Sequence, residues 1–523
     1  MNSNLRKWLF ALLLSSPIFF IYAIHFFYHD AGHKPTGMIQ WEHAFYMISA
    51  KEYQTGHATI LYHYPLDDNP QSPKIFFQSQ TIILGYLWKW LAIEPGVLLA
   101  LFGFLFTILT LRIVVEIIDT ILPFEKNKKL ITLLFTWGGG ILSFCGVLLH
   151  FFYFKTGTLA DHIFYLDFGD GWWCLNFGRS LIFPLEAYYH FLFVLGILFV
   201  LKKKFLPVAL VMVTLSLSHP YTATEFIAIV TTWAVLEYYY FQSKEINTKG
   251  LLLIGAAVLF HGIYYGLLMS HFEVARTISK QVALDWAYKA WHFVPAYFFV
   301  WLLSFLAVKN VALFKAQFSS PVNRLFFCWG AVAFLLSVHG FAIKPVQPIH
   351  YTRGYVYAGF FLFSIPAIIY LLNYVQNKKG IWKPILILAV FIFLADNISW
   401  FYFATDYNQT GIYLDKSQQQ LINFFKQQGN GIAIGTDNTE GIATNIQLYS
   451  NYKAWVPHPF LTFNMDSKEN AVHDLINKET IDNRWKNIPT YFFVEKNDTI
   501  LAGHTFHFPV KFENDSFKVF QIN

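Results

Sequence analysis

Gln80-Thr81-Ile82-Ile83-Leu84-Gly85-Tyr86-Leu87-Trp88-Lys89-Trp90-Leu91-Ala92-Ile93, followed at once by Glu94-Pro95-Gly96, is the stretch on which the topology of this chain turns. As a helix it would reach about 21 Å, short of the roughly 30 Å of a hydrocarbon core, and it carries Lys89. Counted as a crossing, it would put Lys202-Lys203-Lys204 outside. Taken as a helix lying in, or dipping into, the outer interface, it leaves a consistent pattern in which every second linker between apolar runs is basic. Those linkers hold Arg6-Lys7, Lys126/Lys128/Lys129, Lys202–Lys204, Lys244/Lys249, Lys309/Lys315/Arg324 and Lys378/Lys379/Lys383. The positive-inside rule assigns them to the cytoplasm.

Working outward, the predicted spans are roughly 8–26, 97–118, 131–154, 180–201, 205–218, 222–241, 250–270, 293–308, 325–343, 354–375 and 384–403, about eleven crossings in all. The fold class is an all-α polytopic membrane protein with a large first outer loop (27–96) bearing interfacial helices. A membrane domain spans 1–403, and a small α/β extracytoplasmic domain spans 404–523. In that tail Lys416–Gln428 reads as a helix; Gly431–Gly435, Thr490–Val494 and the alternating Thr505–Phe520 read as strands. The N-terminus is expected in the cytoplasm and the C-terminus outside, in a bacterial inner membrane.

Composition agrees. The chain has 523 residues, of which 55% are apolar, 20% aromatic and only 13% charged, with a mean hydropathy of +0.40. So few charges could not cover a soluble protein of this size. The net charge of +6 is accounted for by the cytoplasmic linkers, and no basic-aromatic tract calls for nucleic acid. Cys145, Cys174 and Cys328 form no spaced pair, so neither a disulfide framework nor a zinc site is indicated. The first apolar run follows Arg6-Lys7 without a small-residue cleavage site and reads as a retained signal-anchor.

The residues able to do chemistry then fall outside. In Trp41-Glu42-His43-Ala44-Phe45-Tyr46 the spacing predicts a helix with Trp41, Phe45 and Ile48 on one face and Glu42, Tyr46, Ser49 and Tyr53 on the next. Glu42 is placed to deprotonate an acceptor hydroxyl, or simply to favour the helix N-terminus. Asp67-Asp68-Asn69-Pro70 could assist as acid, base or divalent-cation ligand; the same four residues are also good turn chemistry. Arg179, Arg276, His350 and Arg353 are outer groups suited to phosphate, with Arg offering forked donors; ordinary interfacial anchoring is the plainer alternative. Asp170, beside Trp172-Trp173, is a further polar candidate, whereas His219 reads as structural in its turn. Arg112 and Glu116, four apart, are expected to neutralise each other. No acidic chain crosses the bilayer, and no phosphate-binding loop, nucleophile elbow or His-Glu-x-x-His is present.

The layout resembles the membrane-embedded GT-C glycosyltransferases, among them the protein mannosyltransferases and the lipid A aminoarabinose transferase. Glu42-(3)-Tyr46-(3)-Ala50-Lys51 and Ser72-Pro73-Lys74-Ile75-Phe76-Phe77 carry that resemblance, over about 120 N-terminal residues plus the topology and outer tail. The family often has two adjacent acids where this chain has Glu42-His43, and His-Pro-Pro where it has Ser72-Pro73-Lys74. The resemblance implies an inverting transfer of sugar from a polyprenyl-phosphate carrier to a lipid, glycan or protein acceptor. Glu42 would be the base and Asp67 or Asp68 its assistant or cation ligand. Arg353 and Lys74 would meet the donor phosphate. No cofactor is required with certainty; a divalent cation is compatible. The alternatives are a lipid or glycan transporter, to which Gly138-Gly139-Gly140 is a hint, and a non-catalytic envelope assembly protein acting through its tail.

Overall fold

The computed structural model describes residues 3–40, 42–69, 71–163, 165–166, 176–286, 289–309, 315, 317–378, 380–405, 412–436, 439–498 and 504–523. The chain folds into two compact units. The membrane unit is built from 1–21, 103–264 and 284–406, and the loop–tail unit from 22–102, 265–283 and 407–523. The tail therefore shares its unit with the first outer loop and with residues 265–283.

The predicted spans fall on helical segments, 131–154 on two of them. Among the described residues six helices are long and apolar enough to cross a membrane, including Ser3–Phe27, Pro95–Ile121, Pro184–Leu201 and Trp382–Ala404. A seventh candidate is a broken pair, Lys128–Trp137 and Leu142–Phe152, bent by 52°. Phe205–Ser216, Phe293–Val308 and Pro321–Ser337 are apolar but shorter. Pro220–Val235 continues into a π-helical turn, Leu236–Tyr240. The protein is thus an integral membrane protein, mostly helical, with a small sheet domain. Arg112 does meet Glu116 at 3.1 Å. Lys7 joins them, 3.1 Å from Glu116 and 2.7 Å from Asp119, so the start of the first span and the end of the second lie at one level. Arg324 is buried in a forked pair with Glu237, which neutralises one of the basic linker charges.

In the loop–tail unit, the decisive stretch forms a helix only over Ser79–Leu91. Ala92 stops it in the left-handed region at φ 51°, and a new helix begins at Pro95. It lies against the helix His43–Gln54. Gly85 is required at the crossing, because a Cβ there would sit 2.5 Å from the Ala50 carbonyl oxygen and from Tyr53 Cβ. Tyr53 and Tyr86, one from each helix, join Ala58, Tyr62 and Phe76 in a small core.

The tail builds a five-stranded sheet from β3 (Asn430–Ile434), β4 (Asn451–Ala454), β5 (Thr490–Glu495), β6 (Val510–Glu513) and β7 (Phe517–Gln521), in the order β4-β3-β5-β7-β6. The first three are parallel; β7 and β6 add antiparallel. A short pair, β1 (Lys34–Pro35) with β2 (Tyr413–Leu414), ties the outer loop to the start of the tail. Alternation explains the layering. Ala433, Tyr491 and Phe493 face a core with Leu421, Phe425 and Ile446 from the helices Lys416–Gln427 and Glu440–Tyr449. Ile432, Ile434 and Phe492 face the other, with Val472 and Leu475 from the helix Met465–Lys478. With both faces covered, β3 and β5 read as continuous apolar runs.

Candidate functional site

The loop–tail unit is knitted from three chain segments. Tyr64, Leu66 and Val274 share one apolar cluster with Phe45, Ile278 and Leu461. Polar bonds fix the same seam: Tyr64 donates its hydroxyl to the Leu461 carbonyl at 2.6 Å, and Gln447 donates to that of Pro65 at 3.0 Å. Gln281 donates to the Thr462 carbonyl at 2.9 Å. Lys51, from the helix His43–Gln54, donates to the carbonyls of Gln447 (2.8 Å) and Ser450. These close the C-terminal end of Glu440–Tyr449, where a cation is favoured. Burial pulls the Lys51 amine down from 10.5 to about 8.

Beside this seam opens a cleft of about 860 Å³, lined by residues 65–69 and 71–73 of the outer loop, by Glu273, and by the β3, β4 and Met465–Lys478 elements of the tail. Asp67 lies in its wall with its carboxylate already engaged: the Asn69 amide donates to Oδ1 at 3.0 Å and the Ser72 hydroxyl to Oδ2. Asp68 pairs with Lys468 at 3.0 Å. That ammonium is buried, lies 4.8 Å from the Trp455 ring centre, and has its pKa lowered by burial against the pull of Asp68. Arg484 covers Trp455 at 4.6 Å and is held by Asp482 at 2.7 Å. An Asp whose oxygens are spent on a turn and an Asp neutralised by lysine do not fit a divalent cation. Among the described residues no group of three His, Cys, Asp or Glu could hold a metal.

Glu42 precedes the helix His43–Gln54, half-buried, and its carboxylate makes no capping bond to the first-turn amides. Lys74 is exposed and donates to the His57 carbonyl.

Arg276 is exposed in the loop–tail unit, and the remaining expected site residues belong to the membrane unit. Arg353 is paired with Glu186, and its carbonyl accepts from Ser180 at 3.0 Å and lies 2.8 Å from His190 Nε2. His350 stacks on Tyr221 with ring centres 4.5 Å apart. Asp170, with Trp172 and Trp173, lies outside the described residues. His219 caps the helix Pro220–Val235, accepting from the Thr222 amide at 3.3 Å, the structural role expected of it. Glu225 is fully buried, with neither oxygen bonded to a described residue.

Arg179 is 1% exposed. It donates to the Asp396 carbonyl at 2.9 Å and to Asn397 Oδ1 at 3.2 Å, over the Trp400 ring. Its partners explain the broken pair. The Asp396 carboxylate accepts from the amides of Gly140 (2.9 Å), Leu142 (3.2 Å) and Ser143 (2.8 Å), which are orphan donors at a helix start. The Asn397 amide donates to the carbonyls of Trp137 (2.6 Å) and Gly138 (3.2 Å). A Cβ on Gly140 would stand 2.0 Å from the Pro295 carbonyl oxygen, so the glycines admit this close approach. In the sequence Asp396 is a lone charge within the apolar run 384–403. The glycine triplet 256 residues earlier in the chain was the signal for its partner.

No family model matches the chain, and no curated protein matches it. Among solved structures, the archaeal oligosaccharyltransferase AglB from Archaeoglobus fulgidus, in complex with an inhibitory peptide and a dolichol-phosphate, is similar to it with a TM-score of 0.45 and 10% identity, over 94% of this chain and 70% of that one. The Archaeoglobus fulgidus oligosaccharyltransferase tethered to an acceptor peptide gives 0.42 and 10%, over 92% and 69%. Likenesses this distant carry no argument about this chain.

Proposed function

We propose that this protein is a GT-C-like membrane glycosyltransferase that moves a sugar from a polyprenyl-phosphate carrier to an acceptor on the outer face of the membrane. The observation that carries the reading is the seam between residues 64–68 and residues 447–468. Groups that hydrogen-bond to one another share a compartment. An even number of crossings must then separate the first outer loop from the tail, and also from residues 265–283, which join the same unit through Gln281. For Gln281 and the tail the expected spans meet both conditions, six between residues 97 and 270 and four after 283, only if Ser79–Leu91 does not cross. Together with the first span this supports about eleven crossings, with the N-terminus in the cytoplasm by the basic linkers and the C-terminus outside. The ion pairs of Lys7 with Glu116 and Asp119 support the same out-and-back course.

In the reaction, Glu42 takes the proton of the acceptor hydroxyl as that oxygen bonds to the anomeric carbon. The bond from that carbon to the carrier phosphate breaks on the opposite side, so configuration inverts. Lys74 supplies a cation in the loop–tail unit. Separately, Arg353, paired with Glu186 in the membrane unit, is proposed to bind a lipid phosphate. Asp67 and Asp68 shape the loop and carry no metal. A lipid-linked donor suits a compartment without nucleotide sugars, and a bacterial inner membrane is the setting.

The test uses membranes bearing Glu42→Gln and a labelled polyprenyl-phosphate sugar. Removing a general base lowers turnover about 10²–10⁴-fold, with the protein's abundance unchanged. Undiminished transfer would remove Glu42 from the mechanism. A transporter would tolerate this change.

A further inference from the structure

The cleft beside Asp68 is not used by that reaction scheme, and its chemistry is specific. Its cations Lys453, Lys468 and Arg484 are matched by Asp67, Asp68 and Glu273, so it presents no net field to attract a polyanion. Gln71, Asn430, Asn451 and Asn464 line it, and their side-chain amides bond to no other described residue; all four residues are exposed. A carboxamide offers donors and an acceptor side by side, which matches hydroxyls that both give and take. A strand-adding peptide is disfavoured. β4 is the edge of the sheet, but its outward amides are already used: Tyr452 N–H donates to Ser450 Oγ at 3.1 Å and Ala454 N–H to Gln447 Oε1 at 3.2 Å. Trp455 is buried beneath Lys468 and Arg484 and offers no open ring face. The volume, about 860 Å³, is that of a small-ligand site.

We propose that this cleft binds an uncharged carbohydrate through the amides of Asn430, Asn451, Asn464 and Gln71, and that this carbohydrate is the glycan acceptor. The second half rests on the glycosyltransferase reading; the first does not.

The full-length protein in lipid nanodiscs is titrated calorimetrically with maltooligosaccharides and mannan oligosaccharides. A sulfated polysaccharide and an unmodified peptide mixture serve as comparators. The neutral sugars are expected to bind without salt dependence, and the Asn430→Ala/Asn451→Ala double variant to bind about tenfold more weakly, two hydrogen bonds being lost. Equal binding by the variant would overturn the proposal, as would binding of only the polyanion or the peptide. The transfer assay separates the two readings. A raised acceptor KM at unchanged kcat in the double variant supports both. Sugar binding without transfer from any polyprenyl donor leaves the cleft as assigned and removes the glycosyltransferase reading. Transfer at an unchanged KM overturns the acceptor assignment alone.

Discussion

The glycine break of the membrane unit and the polar cleft of the loop–tail unit each set aspartates among buried partners, but only the cleft stays open. At the break, Asp396 and Asn397 take up both sets of orphan groups: three amides go to the carboxylate and two carbonyls to the side-chain amide. Arg179 then locks the backbone of the pair. In the cleft, Asp67 and Asp68 are likewise spent on the fold, while the neighbouring amides remain uncommitted. A saturated polar site specifies a shape, and a partly unspent one can recognise a ligand. This is why the break, which resembles the interrupted helices of transporters, supports no transport reading: its helix start is filled by the protein's own carboxylate.

The largest effect expected of that contrast comes from Asp396→Ala. Three buried amides would lose their acceptor, a cost on the order of 3–5 kcal/mol, seen as a collapse of the thermal midpoint in detergent. Asp396→Asn, which keeps one acceptor oxygen, should fall between. A neutral Asp396→Ala would show that something else holds the break. Asp68→Ala should cost less, about 1–3 kcal/mol, because it strands the buried Lys468 ammonium beside a partly hydrated cleft. Adding Lys468→Met should recover part of that loss. Simple additivity of the two changes would mean the pair is not coupled.

The smallest effect is a slope. With Lys51 lowered to about 8 from 10.5, the unfolded chain keeps a proton between those values that the folded chain has released. Stability from this residue therefore rises with pH across that window, and below it the buried charge counts fully against folding. The advantage of the wild-type protein over Lys51→Met should widen from pH 8 upward, as read by thermal midpoints. A flat difference would place the amine in water.

Much of this was legible in the sequence, for identifiable reasons. Helices such as Pro184–Leu201 and Trp382–Ala404 declare themselves by apolar length, and the parallel strands β3 and β5 by continuous apolar runs. The hairpin of β6 and β7 appeared as one alternating stretch, because the turn at Asn514-Asp515-Ser516 is short and polar like its flanks. Long-range pairing left no local trace. Lys51 looked like part of an interfacial motif, and only the fold brings it to the end of Glu440–Tyr449. Asn397-Ile398-Ser399 has only the form of a glycosylation triplet in the sequence, and the glycines of the break give its amide a purpose. Nor could Arg353 be told from an anchor while Glu186 was far away in the chain.

The account rests on the outer loop and the tail facing one compartment. In a cysteine-free background, Ile60→Cys and Lys478→Cys, both at exposed positions, can be labelled in intact cells with a membrane-impermeant maleimide. Both sites are predicted to react from outside without permeabilisation. Reaction at only one, or at both only after the membrane is opened, would contradict it.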